Sequence, residues 1–396
     1  MIDSHFPLAP FWALSSLVNE VSAPQGELVS LDRIEGKTGR LLQGEGESNA
    51  NGRQFRKDDV LFGKLRPYLA KYWLADRPGT AQGDIHVYRP TLRTDPRFLA
   101  YIVGSDYFTG LADTSSTGSK MPRVEWPKVA QFRVPFPPRR TQRTIADYLD
   151  RETAEIDAMT VDLAKMEALL TERRATTVRS TMDQAAEFGR IPLGYVAQTV
   201  AGATPSTSIA KYWADSAESG IHWVSIGDMS SVPVVLETQK YVSTEGRKAA
   251  RLKVAGPGTV LFAMYGATLG AVSRLGVDAC WNQAILGVFP HESRLRSEFL
   301  ESALIALKPS LEALHRGNTQ NNLNAEQVKG LPIPLPPLEV QEAISQELSE
   351  KTAEIDSMLA DITALRDLLA ERRAALIAAA VTGQIDIPTA EEPTHA

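Results

Sequence analysis

Three stretches of this 396-residue chain carry side chains suited to holding a polyanion. Residues 51–57, NGRQFRK, offer Arg53, Arg56 and Lys57. Residues 61–69, LFGKLRPYL, offer Lys64, Arg66 and Tyr68. Residues 114–123, TSSTGSKMPR, set Ser115, Ser116, Thr117 and Ser119 beside Lys120 and Arg123. Hydroxyls and ammonium groups match phosphate oxygens, and the arginine fork matches the guanine edge. Further on, residues 316–324, RGNTQNNLN, bring Asn318, Thr319, Gln320, Asn321 and Asn322 together. A carboxamide can pair with the adenine edge through two hydrogen bonds, although asparagine also forms turns for purely local reasons.

Catalytic chemistry finds no comparable pattern. Gly36-Lys37-Thr38 looks like the end of a phosphate-binding loop, but that motif needs a glycine at position 31, which is Leu31. Gly256-Pro257-Gly258 lacks dinucleotide-loop spacing. The six histidines show no metal-binding spacing, and Cys280 is alone, which excludes an internal disulfide and a multi-cysteine metal site. There is no Gly-x-Ser-x-Gly elbow, and the Pro-Pro pairs lack the motif context of an amino-methyltransferase. Asp58, Asp59 and Lys64 match a nuclease site only at a looseness that almost any chain would meet. No cofactor and no metal are expected.

The elements that position these loops are duplicated. Residues 153–157 read TAEID, and so do residues 352–356, an offset of 199. Pro137-Pro138 returns as Pro336-Pro337, and Glu172-Arg173-Arg174 as Glu371-Arg372-Arg373, in the same register. Between the copies lie two blocks that align more loosely, Val60-Leu61-Phe62 with Val260-Leu261-Phe262. Met264–Thr268 therefore falls where LFGKLRPYL falls, which makes Tyr265 and Thr268 candidates of the second block. Short strands at Leu28–Ile34, Val60–Leu65 and Ile85–Tyr88 and a helix over Pro96–Phe108 predict a mixed α/β (α+β) block without regular βαβ alternation.

Each TAEID copy lies in a long helical pattern. Ile156, Met159, Leu163, Met166 and Leu170 are spaced 3, 4, 3, 4, as are Ile355, Met358, Ile362, Leu365 and Leu369. That is a heptad seam, and ~40 residues of it make a helix of roughly 60 Å. The spacing predicts an antiparallel pair of helices with pseudo-two-fold symmetry. The organisation expected is a block over 1–136, a helix over 137–188, a block over 189–335, a helix over 336–385 and a tail over 386–396.

Charge separates the same parts. Residues 1–140 hold 19 Lys/Arg against 15 Asp/Glu, and residues 338–396 hold 4 against 12. A phosphate-binding role thus belongs to the blocks rather than to the helices. No apolar run reaches the ~18 residues of a membrane span, and the opening residues MIDSHFPLAPFW lack the basic n-region of a signal peptide, so a cytoplasmic protein is expected.

These motifs resemble the DNA-specificity subunits of type I restriction–modification systems. LFGKLRPYL, SSTGSKMPR, the PFPP/PLPP breaker before a Gln-x-x-Ile helix, ERR near the helix end and residues 379–386, AAVTGQID, carry the resemblance in most of the chain. Residues 192–206, PLGYVAQTVAGATPS, which add Thr204 to the candidates, and residues 221–229, IHWVSIGDM, carry it in the second block. It implies two target-recognition domains that read the halves of an asymmetric double-stranded DNA site. It also implies helices that dock two methyltransferase subunits, restriction/motor subunits as further partners, and no catalysis by this chain. The family's recognition loops carry over onto Ser115–Arg123 and Lys64–Arg66. The rival readings are a subunit of a fused methylase–nuclease system, an enzyme acting alone, and a coiled-coil interaction protein.

Overall fold

A computed structural model describes residues 4–44, 51–229, 232–314 and 322–387. Asn318, Thr319, Gln320 and Asn321 lie outside the described residues. The chain divides into two compact units, residues 1–164 with 363–396, and residues 165–362. Each unit takes in one block and one half of each long helix.

The first unit holds strands β1 (Leu8–Pro10), β2 (Ser15–Leu17), β3 (Val21–Ser22), β4 (Glu27–Val29), β5 (Gly52–Phe55), β6 (Val60–Gly63), β7 (Tyr72–Leu74), β8 (Gly79–Ala81), β9 (Ile85–Pro90) and β10 (Arg133–Pro135). Its helices are α1 (Pro96–Gly104), α2 (Asp106–Thr114), α3 (Trp126–Val129) and the start of α4 (Arg139–Ala185). The strands form a β1-β10 ribbon and two four-stranded sheets, β2-β9-β6-β7 and β3-β5-β8-β4. The helix read over Pro96–Phe108 is two helices. Asp95 caps the first, and Ser105 ends it and caps the second by accepting from the Phe108 N–H.

The second unit repeats the plan with β11 (Arg190–Pro192), β12 (Ala197–Ala201), β13 (Trp213–Ala214), β14 (Ile221–Val224), β15 (Val234–Val235), β16 (Tyr241–Val242), β17 (Val260–Ala263), β18 (Val272–Leu275), β19 (Ala279–Trp281), β20 (Ile285–Pro290) and β21 (Pro332–Pro334). Helices α5 (Ile226–Met229), α6 (Thr244–Ala249), α7 (Ser297–Leu314) and α8 (Ala325–Lys329) precede α9 (Leu338–Thr382). The sheets are the ribbon β11-β21, then β12-β20-β17-β18-β15 and β13-β16-β14-β19. The β1-β10 and β11-β21 ribbons match, so residues 8–17, which show no sequence resemblance, do the work of residues 190–201.

The repeated Val-Leu-Phe is a central strand buried on both faces, which is why it is apolar without alternation. Val60 and Phe62 join the core under α1, while Leu61 joins a second cluster with Ile85 and Val87. Val260 and Phe262 split from Leu261 in the same way.

The start of each long helix is fixed by a buried glutamine. Gln142 accepts from the Asp95 N–H (2.8 Å) and donates to the Arg93 (3.2 Å) and Pro137 (2.8 Å) carbonyls. Gln341 repeats all three bonds with Arg296, Arg294 and Pro336. Both side chains are fully buried, and the proline carbonyls they satisfy belong to the breaker that stops the helix from extending backwards.

The helices pair antiparallel within each unit. In the first, Asp157 accepts from Arg373 at 3.2 Å, and Ile145 shares a cluster with Ile377 and Ala380. In the second, Asp356 accepts from Arg174 at 2.7 Å, and Val178 and Met182 share a cluster with Leu348. The two ion pairs are copies of each other, 199 residues apart on both sides. TAEID and ERR recur because each copy of one binds the other copy of its partner. The remaining TAEID positions are also used twice: Thr153 and Thr352 bond back to the Leu149 and Leu348 carbonyls, and Ile156 and Ile355 are buried.

The heptad positions divide between two surroundings. Ile156, Ile355, Ile362 and Leu369 are buried, and Leu163 and Leu170 are half-buried. Met159, Met166, Met358 and Leu365 are exposed. Thr160, Glu167 and Leu359, one step along from Met159, Met166 and Met358, are partly buried, so at those layers the packed stripe is shifted by one residue. A 3.6-residue helix lets either neighbour flank the a-type position, and sequence spacing alone does not choose between them. Among the described residues, no helix is long and apolar enough to cross a membrane.

Candidate nucleic-acid interface

In the first unit the hairpin ends and the serine-rich loop converge. The loop over 117–123 closes on itself through Thr117 N–H to Arg123 C=O (2.8 Å) and the reciprocal bond (2.9 Å), with Gly118 at φ 102° making the bend. It is tied to the segment after β6 by Arg66 N–H to Pro122 C=O (2.8 Å) and Val124 N–H to Lys64 C=O (3.1 Å). Lys64 N–H in turn donates to Asp84 C=O at 2.9 Å, just before β9. Three separate segments, 64–66, 82–84 and 117–123, thus form one edge.

On this edge Arg123 is paired with Asp84 at 3.1 Å, and Lys64 lies 3.9 Å from Glu125. Arg53, on β5, donates to Gly83 C=O at 3.5 Å and joins the edge from the second sheet. Ser119 and Lys120 are exposed at the loop tip, Thr117 is exposed, and Tyr68 is half exposed in the turn after Arg66. Ser115 and Ser116 are drawn inward at the end of α2, where the Ser115 carbonyl accepts from Lys128 at 2.8 Å. Arg56 and Lys57 are not brought in. They occupy the turn at the other end of β5 and β6, where the Arg56 N–H donates to Asp59. Asp59 is buried and held by Arg89 at 2.7 Å and 3.0 Å, so its carboxylate is occupied by a structural pair.

His86 lies behind the edge, and its Nδ1 is 3.1 Å from the Tyr88 hydroxyl. Burial, then the positive charges of Lys64 and Arg53, push its pKa down to about 3. It stays neutral at physiological pH. Sequence reading missed Asp84, whose ion pair orients Arg123, because no pattern in the chain distinguishes it from other surface aspartates.

The second unit builds the same edge from different side chains. Met264 N–H donates to Ala284 C=O (2.8 Å) and Leu323 N–H to Met264 C=O (2.9 Å), copying the Lys64 and Val124 bonds. Tyr265 pairs with Asn322, whose side-chain oxygen accepts from the Gly266 N–H at 3.2 Å. Thr268 donates to Tyr265 C=O at 3.0 Å, and Thr204 donates to Gln283. Lys64, Leu65, Arg66, Asp84 and Arg123 are answered by Met264, Tyr265, Gly266, Ala284 and Asn322. The backbone is retained and the charge is gone. Among the described residues, no group of three or more His, Cys, Asp or Glu side chains is placed to hold a metal ion.

Residues 187–364 match the family described as the type I restriction modification DNA specificity domain. That match covers a little under half of the chain, and over it the chain is similar to the DNA specificity domain of type I restriction–modification systems. Two curated relatives, both from Escherichia coli, agree. The type I restriction enzyme EcoBI specificity subunit is 29% identical over 107 residues, 27% of this chain and 23% of that one. The EcoDI specificity subunit is 23% identical over 150 residues, 37% and 33% of the two chains. The matched segments thus span a quarter to a third of those relatives. A chain solved in work on complex assembly and conformational transition of the type I R-M system has the same fold, with a TM-score of 0.63 and 21% identity over 97% of this chain and 96% of that one.

Proposed function

We propose that this chain is a type I DNA-specificity subunit that binds double-stranded DNA through its two loop edges, each reading one half of an asymmetric bipartite site. The observation that carries this is the pair of edges with one backbone and two side-chain sets. Arg53, Lys64, Arg66, Ser119, Lys120 and Arg123 in the first block suit phosphate oxygens and guanine edges. Thr204, Tyr265, Thr268 and Asn322 in the second suit hydrogen bonding with little net charge. The paired helices serve as spacer and docking platform. Met159, Met166 and Leu169 are exposed on α4, and Met358, Leu365 and Leu368 on α9, each 199 residues later. Two equal apolar stripes suit two copies of one partner, a methyltransferase subunit, with restriction/motor subunits joining that assembly. The chain supplies specificity and no catalysis.

Exchanging residues 191–335 for the block of another specificity subunit tests the reading. Methylome sequencing of cells that carry the exchange with the cognate methyltransferase should show a motif changed in one half only. A motif changed in both halves, or in neither, refutes it.

A further inference from the structure

We infer that Arg66 is a DNA-contacting residue of the first block, kept at a backbone position that favours glycine. This rests on the DNA reading above and names the side chain most committed to it. Backbone φ is positive at Asp58 (72°), Arg66 (51°) and Ala70 (47°) in the first block. Two hundred residues later it is positive again at Gly258 (87°), Gly266 (68°) and Gly270 (79°). The same three left-handed turns recur, so the fold requires them. The second block meets the requirement with glycine, which carries no Cβ to clash.

The first block replaces all three glycines, and two replacements have local reasons. Aspartate is among the side chains that tolerate the left-handed region. Ala70 is 2% exposed, so its methyl is buried in the core. Arg66 has neither reason. Its side chain is exposed and makes no cap hydrogen bond to the turn that follows. Among the described residues it has no ion-pair partner, whereas its neighbours Arg123 and Lys64 face Asp84 and Glu125. An unfavourable conformation at an exposed side chain with neither a capping bond nor an ion pair points to function rather than to folding. The sign of the ligand follows from the charge, and the place follows from the Arg66 N–H bond to Pro122, which fixes the residue on the loop edge.

Arg66→Gly and Arg66→Ala separate the two roles. Each full-length variant is co-expressed with the methyltransferase subunits and tested on a labelled duplex carrying the motif that the wild-type system methylates, and on a scrambled duplex. Arg66→Gly should melt no lower than wild type and above Arg66→Ala, while both lose about tenfold or more in affinity. Loss on both duplexes with a shallower salt slope indicates a phosphate contact, and loss on the cognate duplex alone a base contact; either supports the inference. Unchanged affinity of Arg66→Gly, or a lower melting temperature than Arg66→Ala, overturns it while the wild type still binds. A wild-type complex that retains neither duplex overturns the DNA reading itself.

Discussion

Asp157 accepts from Arg373 in one unit, and 199 residues later Asp356 accepts from Arg174 in the other. Gln142 and Gln341 each make the same three bonds to the same backbone groups. At the loop edges the repetition stops at the backbone. Lys64 and Met264 share a hydrogen-bond pattern, but Arg123 with Asp84 becomes Asn322 with Ala284. The contrast separates two kinds of constraint. A side chain that satisfies another part of the same fold must be kept in both copies, because changing one strands its partner. At the edge the partners are exposed side chains that can change together, as Arg123 with Asp84 gives way to Asn322 with Ala284, and the copies are free to differ.

That contrast can be broken most forcefully at the glutamines. Gln142→Ala and Gln341→Ala each leave one buried N–H and two carbonyls without a partner. Each should cost about 3 kcal/mol, and equally, by denaturant unfolding. Unequal losses would show that one unit tolerates an unanchored helix start.

The next effect depends on pH. His86 is neutral when folded, with its pKa depressed to about 3, whereas the unfolded chain takes up its proton near 6.5. Stability from this group is fully present above pH 6.5 and falls as pH drops toward 3. At pH 5 the loss is about 2 kcal/mol. The matching residue of the second unit is the buried Leu286. Hydrogen exchange at pH 5 against pH 7 should therefore loosen β6 and β9 more than β17 and β20, and His86→Leu should remove the difference.

The reciprocal ion pairs sharpen the comparison further. Arg373 is 13% exposed, and it also donates to Thr38 C=O at 3.3 Å, whereas Arg174 is 33% exposed. Arg373→Ala should cost about 1.5 kcal/mol and Arg174→Ala about 0.5 kcal/mol in thermal unfolding. Equal costs would mean that burial does not distinguish the two copies. The smallest stability change is expected at Met159→Glu and Met358→Glu, within about 0.5 kcal/mol, because both side chains are exposed. Under the proposed docking role their effect falls on partner capture, read as loss of one co-purified methyltransferase subunit for each substitution.

The chain alone determined the duplication, the long helices, short strands such as the one at Val60 and the mixed α/β class. Those follow from short-range regularities: a fixed offset, a heptad spacing, an apolar run between turn residues. It also placed Lys64, Arg66 and Ser119–Arg123 among the candidate residues, because their types suit polyanions. Tertiary structure decided which candidates meet. It joined Arg53, Lys64, Arg66 and Arg123 on one edge and left Arg56 and Lys57 at the far end of the strands. It chose Thr160 and Glu167 over Met159 and Met166 for the packed stripe. It showed that TAEID and ERR bind each other across the helix pair, and that Asp84 orients Arg123. Those facts depend on contacts between residues tens to hundreds of positions apart, and side-chain type and spacing do not encode which distant partner a residue will find.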